Sequence, residues 1–285
     1  MSEPQPRLFT HAFHNHLHMN PDTNNTSIGH ASADDAIPYL LELHGGRMYN
    51  IGMRLCRNHA DAEDMVQETF LLAYKNWDQF EGRANITTWL YTISARVCQR
   101  MHRLRSGQPA HMESLNELLP FGDTKMARLP SQEDDPAAQT LRADLIVHIE
   151  TAISALPVEF RIPIILRDIV DLAIEDIANI LNIKPQTVKT RIHRARLRVL
   201  KAVNGHLPQE DAPPPAYSKQ MCMDLLRAKQ EALDRGVSFP HGQNILCERC
   251  SAVFASLDLG RDLCRELGNG AIPPALRQKL LSELA

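Results

Sequence analysis

Apolar residues along this chain recur at every third or fourth position over long stretches, separated by stretches with no such rhythm. Ile37 to Arg105 is helical in pattern nearly throughout. Tyr39, Leu40, Leu43, Met48, Ile51 and Leu55 mark one amphipathic region, and Met65, Phe70, Leu71 and Tyr74 a second. Ala62-Glu63-Asp64 puts negative charge where the start of that second helix would welcome it. Asp78 to Thr88 breaks the pattern with Gly82 and Asn85 and predicts a loop; Trp89 to Arg105 predicts a further helix. Ser106 to Thr140 has no periodicity and is punctuated by Pro109, Pro120, Gly122, Pro130 and Pro136. It is a linker, longer than compact domains usually carry. Helical patterning resumes at Leu141 and lasts to about Val203.

Within that last stretch, Ile174, Ile177, Ile180 and Leu181 fall on one helix face, Asn182 suits a left-handed helix end, and Pro185 pre-sets the first turn of another helix. Val188, Ile192, Ala195 and Val199 then form an inward stripe. Lys189, Arg191, His193, Arg194, Arg196 and Arg198 take the remaining faces with no acid among them. The prediction is a helix-turn-helix whose second helix is basic along its outer side and fits the major groove of DNA. The plainer reading is a solvated basic helix.

The predicted organisation is all-α: a His-rich tail over residues 1–35, a helical domain over 36–105, the linker 106–140, a helix-turn-helix domain over 141–204, a Pro-rich spacer over 205–219 and a Cys-rich helical domain over 220–285. His11, His14, His16 and His18 of the tail could gather a metal ion, but ordering a polar tail costs entropy first, and a plain tail is preferred. The net charge of −3 conceals basic segments, Arg96 to Arg105 and Lys189 to Lys201, beside an acidic one from Glu113 to Asp135. That division suggests a directed nucleic-acid surface. No apolar run approaches the roughly 20 residues needed to cross a bilayer. MSEPQPRLFT also lacks the charged start and apolar core of a secretory signal. A cytoplasmic protein is expected, with cysteines serving as thiols or metal ligands more than as disulfides.

Two blocks resemble one family. DAEDMVQETFLLAYKNWDQFEGRANITTWLYTISARVCQRMHR (61–103) is similar to region 2 of the extracytoplasmic-function (ECF) sigma factors of bacteria, and ALPVEFRIPIILRDIVDLAIEDIANILNIKPQTVKTRIHRARLRVLK (155–201) to their region 4. The resemblance implies a subunit that binds core RNA polymerase and directs it to promoters. It implies that the helix matching 64–77 docks on the clamp of the large polymerase subunit, with Asp64, Gln67, Glu68 and Phe70 as candidate contacts; for Phe70, Leu71 and Tyr74 ordinary core packing is an equal reading. The loop holding Phe80, Glu81, Gly82, Arg83, Ala84 and Asn85 matches the one that captures an unpaired base of the −10 element, where unstacking must be repaid by a pocket. Arg83 and Asn85 would bond a base edge, and Arg96, Arg100 and Arg103 would hold phosphates. Trp77 and Trp89 are either stacking platforms or core, and core is preferred for Trp89. In region 4, Gln186, Thr187, Thr190, Arg191 and Arg194 would read the −35 element, with Lys189, His193 and Arg198 on phosphates; a guanine contact from Arg191 or Arg194 carries about 1–3 kcal/mol of discrimination. Ala173 departs from the family by lacking a capping hydroxyl, and Asn182 and Gln186 stand where glycine is frequent. The acidic linker would thread through the polymerase, although a soluble tether explains its composition equally well.

Beyond Lys201 the chain continues past the point where most such proteins end. Cys222, His241, Cys247, Cys250 and Cys264 gather there, with Cys247 and Cys250 as C-x-x-C. The arrangement resembles the zinc-binding domain of anti-sigma factors, although His241 stands six residues before Cys247 where that pattern has four. Cys222, His241, Cys247 and Cys250 are the expected Zn2+ ligands, with Cys264 as a substitute for His241. Buried, unligated thiols are the simpler alternative, which is the reading for Cys56 and Cys98. The extension is expected to modulate activity in cis through metal or redox state, and a separate anti-sigma factor is a further possible partner. An alternative function is a helix-turn-helix regulator that never joins polymerase; a region 2 melting loop would have no use there. An enzyme is not expected, because no H-E-x-x-H, phosphate loop or nucleophile–base pair is present.

Overall fold

A computed structural model describes residues 31–80, 85–105, 112–121, 124–129, 136–240, 242, 245–268 and 270–284. The first bundle holds α1 (Ala33–Cys56), α2 (His59–Lys75) and α3 (Ile86–Arg105). Helix α1 starts where the Ser32 side chain accepts from the Asp35 amide and stops where Arg57 turns left-handed at φ 75°. Helix α2 begins earlier than Ala62: the Asn58 side chain accepts from Asp61 N at 2.8 Å, placing Glu63 and Asp64 beyond the first turn. Helix α3 likewise begins at Ile86 instead of Trp89, because Asn85 Oδ1 takes the Thr87 amide at 3.0 Å. Local side-chain caps thus move both boundaries.

The second bundle is α5 (Pro136–Ala155), α6 (Val158–Ile164) continuing into a π-turn (Ile165–Ile169), α7 (Ile174–Leu181) and α8 (Pro185–Asn204). Asn182 caps α7 at φ 54°, Pro185 opens α8, and Ala173 offers no capping bond. That is the helix-turn-helix expected from the sequence. Helix α5 starts at Pro136, ahead of Leu141, since proline suits the first turn.

The linker is less plain than its composition suggests. It carries α4 (Leu115–Leu118), held by a Ser114–Glu117 capping box, and strand β1 (Lys125–Ala127). Strand β1 pairs antiparallel with β2 (Gln209–Asp211), Lys125 facing Asp211 and Ala127 facing Gln209. The all-α reading holds, with this ribbon added between linker and spacer.

Helices α9 (Lys219–Arg235), α10 (Glu248–Glu266) and α11 (Pro274–Glu283) follow. One apolar core runs through both bundles and takes in Leu263, Cys264 and Leu267 of the α10 end and Leu276 and Leu280 of α11. A second core joins Leu197 and Leu200 of α8 to Cys222, Leu225 and Leu226 of α9 and Cys250, Phe254 and Leu257 of α10, with Leu118 of α4 against it. Among the described residues no helix is long and apolar enough to cross a membrane.

Candidate functional site

Helix α8 presents its predicted stripe inward: Val188, Ile192 and Ala195 are fully buried and Val199 nearly so. At its N-terminal half Gln186 and Thr190 are exposed, Thr187 is half-buried, and Lys189 and Arg191 make no ion pair among the described residues. The C-terminal half differs. Arg194 donates to the Glu113 carbonyl at 2.8 Å and lies over the Phe160 ring. Arg198 and Lys201 both pair with the Glu113 carboxylate, at 3.0 and 3.1 Å. His193 Nε2 meets Asp234 Oδ2 at 2.7 Å.

Arg196 corrects the expectation of an all-basic outer side, being only 4% exposed. Its guanidinium donates to both oxygens of Asp168, at 2.9 and 2.7 Å, and to Asp234 Oδ1 at 2.6 Å. Burial alone would lower its pKa, but the Asp168 and Asp234 carboxylates reverse that and raise it. Burial would raise the Asp234 carboxyl; the bond from His193 and the charge of Arg196 hold it below the ordinary value. Asp234 therefore stays ionised between Arg196 and His193 of α8.

In the first bundle the expected contacts divide. Asp64 and Glu68 are exposed, Glu68 pairing with Arg100 at 2.8 Å, and Arg96 is exposed. Phe70 is wholly buried, so it packs the bundle and is not part of a partner face. Phe80 is also buried, stacked on Trp77 at 5.6 Å and packed on Trp89 at 5.3 Å, so its ring belongs to the core of the bundle. Trp77 is core as well, its Nε1 bonded to Ala31 O. Asn85 is engaged as the α3 cap, with Thr87 Oγ1 also bonded to its Oδ1. Arg83, His241, the His-rich tail and the Arg103 side chain lie outside the described residues.

Gln67 is covered by α11. Its Nε2 donates to the Glu283 carboxylate at 2.7 and 2.9 Å, and its Oε1 accepts from Lys279 at 2.8 Å. Beside it Arg277 pairs with Glu42. The chain entering α11 runs so close to α1 that a Cβ on Gly46 would meet the Gly270 carbonyl at 2.5 Å. Residues 270–283 thus lie on the α1–α2 face.

The chain matches the Sigma-70 region 2 model over residues 40–107 and the Sigma-70 region 4 model over 147–199. It is 32% identical over 162 residues to the ECF RNA polymerase sigma factor SigW of Bacillus subtilis, covering 57% of this chain and 86% of that protein. The chain belongs to the ECF RNA polymerase sigma factors. It is 29% identical to the RNA polymerase sigma-H factor of Pseudomonas aeruginosa, over 59% of this sigma factor and 86% of that one. The solved structure of CnrH in complex with the cytosolic domain of CnrY aligns at TM-score 0.42 and 20% identity, over 63% of this chain and 95% of that one.

The region-4 match ends at residue 199, before the thiols of the extension. Cys250 lies in hydrogen-bond reach of both Cys247 and Cys222, and burial first, then those thiols, pushes its pKa upward. Cys264 sits apart, fully buried in the other core beside Asp168 and Arg196, so it does not substitute for His241. Among the described residues no three His, Cys, Asp or Glu side chains are arranged as a metal site.

Sequence reasoning missed Asp168, Asp234, Glu113 as an ion-pair centre, and Arg161. None had a local signal. Asp234 is an ordinary carboxylate in the last turn of an amphipathic helix, and only the fold places it against α8.

Proposed function

We propose that this sigma factor joins core RNA polymerase through the α2 face of region 2, reads the −10 element beside Asn85, Arg96 and Arg100, and reads the −35 element with the first turns of α8. On this reading Gln186, Thr187, Thr190 and Arg191 meet bases, and Lys189 meets phosphate. The C-terminal domain acts in cis, holding both regions in a closed state. The observation that carries this is the occupation of α8: the Glu113 carboxylate pairs with Arg198 and Lys201, its carbonyl takes Arg194, and Asp234 takes His193, so these side chains are engaged within the chain where DNA would otherwise meet them.

Cys222, Cys247 and Cys250, completed by His241, would hold Zn2+, which supplies a cross-link within the domain and no chemistry. The C-x-x-C spacing of Cys247 and Cys250 in the sequence supports that reading. Their oxidation or protonation would release the ion and loosen α9 and α10. A separate anti-sigma factor is a further partner on this reading, and the protein works in the cytoplasm. The test is a pull-down with core polymerase followed by promoter-dependent transcription in vitro. Retention on polymerase with new, promoter-specific transcripts supports the proposal, whereas promoter binding without polymerase association favours an independent helix-turn-helix regulator.

A further inference from the structure

An open cavity of about 740 Å³ lies within the C-terminal domain, between the last two turns of α9, the turn that follows them and one side of α10. Ser251, Phe254, Asp258 and Arg261 line it at three- and four-residue steps, the spacing that gathers side chains on one side of a helix. Its mouth is reached by solvent, since Val237 at the rim is 50% exposed. The volume falls in the range of about 300–1,000 Å³ that small-molecule sites occupy. Every lining residue belongs to 229–262, so the cavity stands apart from the contacts that close α8.

One wall is aromatic. Phe239 meets Phe254 edge-on, with ring centroids 5.0 Å apart, and Leu246 also faces the cavity. Such a wall takes a flat apolar body. The polar groups divide into a settled pair and an unsettled one. Lys229, its side chain only 9% exposed, donates to both oxygens of Asp258 at 2.7 and 2.6 Å and lies 5.8 Å from the Phe254 ring. Arg261 is served less well. Its Nε is buried without a partner, and its Nη2 has only the neighbouring Asp262 at 3.4 Å among the described residues, a carboxylate 52% exposed. A guanidinium offers five N–H donors, so the unmet demand on this side of the cavity is for an acceptor.

We propose that this cavity binds one small aromatic carboxylate, its ring on Phe239 and Phe254 and its carboxylate on Arg261. Two carboxylate oxygens match the fork of a guanidinium. Asp258 does not oppose them, because Lys229 neutralises it, and the long, exposed contact from Asp262 is given up at little cost. An amine of the same shape would find Asp258 already paired and would bring its charge against Lys229 and Arg261.

The test is equilibrium dialysis of the full-length chain against naphthylacetate, with the matching naphthyl amine and alcohol as comparators. Saturable binding of one naphthylacetate per chain is expected, at least about tenfold tighter than either comparator. Arg261→Gln should weaken it by about the same factor while leaving the thermal denaturation midpoint within a few degrees of the wild type. A second measurement needs no variant: naphthylacetate should slow amide exchange in 236–239 and 251–262 of the wild type. No saturable binding, or slowed exchange confined to other segments, would overturn the site. Amine or alcohol binding as tightly as the acid would overturn the carboxylate class, and unchanged affinity in Arg261→Gln would overturn the role of Arg261.

Discussion

Arg196 and Asp234 meet at 2.6 Å with side chains only 4% and 1% exposed, joining the recognition helix of region 4 to the last turn of α9. Asp168 shares the same guanidinium from inside region 4. The C-terminal domain thus supplies half of the counter-charge for a buried residue of the DNA-binding unit.

Asp234→Ala should therefore destabilise the chain by about 2–4 kcal/mol, below the full effect of stranding a buried charge because Asp168 remains. His193 loses its partner in the same variant. Urea denaturation followed by circular dichroism checks this. A loss under half a kcal/mol would mean that Arg196 is satisfied without α9.

Protonation adds a second dependence. Burial, and then the charge of Arg47, hold His44 in α1 down to about 4. Between that value and about 6.5 the unfolded chain binds a proton at His44 that the folded chain does not, so stability rises with pH in this window and is lost as pH falls. The loss from pH 7.5 to pH 5 should be about 2 kcal/mol, and His44→Leu should remove it. Denaturation midpoints of both proteins at the two pH values check it.

Gly46 separates helix stability from domain docking. Alanine should favour helix α1 by about 0.5–1 kcal/mol, yet its Cβ would strike the Gly270 carbonyl. Gly46→Ala should leave region 2 folded while displacing residues 270–283 from α2. Faster amide exchange in α11 and tighter retention on core polymerase are the expected readouts.

Much of this was legible in sequence. The inward stripe of α8, the Asn182 cap and Pro185 are local features, and local periodicity reports them. Arg196 was not legible, because its burial is created by Asp234, 38 residues along the chain. Leu197 and Leu200 look like surplus apolar residues until α9 and α10 cover them. Phe70 and Phe80 matched a family face in position, but a matched position does not show which way a ring points. Strands β1 and β2, three residues each, are too short for alternation to reveal.

Zinc content is a separate question from closure. Freshly purified, reduced protein should carry one equivalent, and Cys247→Ser with Cys250→Ser should carry none. Atomic absorption on both proteins checks it, and no metal in the reduced wild type would make these thiols packing or redox groups.

The most direct test of cis closure is promoter-duplex affinity for the full chain and for Glu113→Ala combined with Asp234→Ala, at one fixed salt concentration. Freeing Arg198 and Lys201 from the Glu113 carboxylate, and His193 from Asp234, should tighten binding by at least about tenfold. Equal or weaker binding by a variant that remains folded would contradict closure of α8 by these two carboxylates.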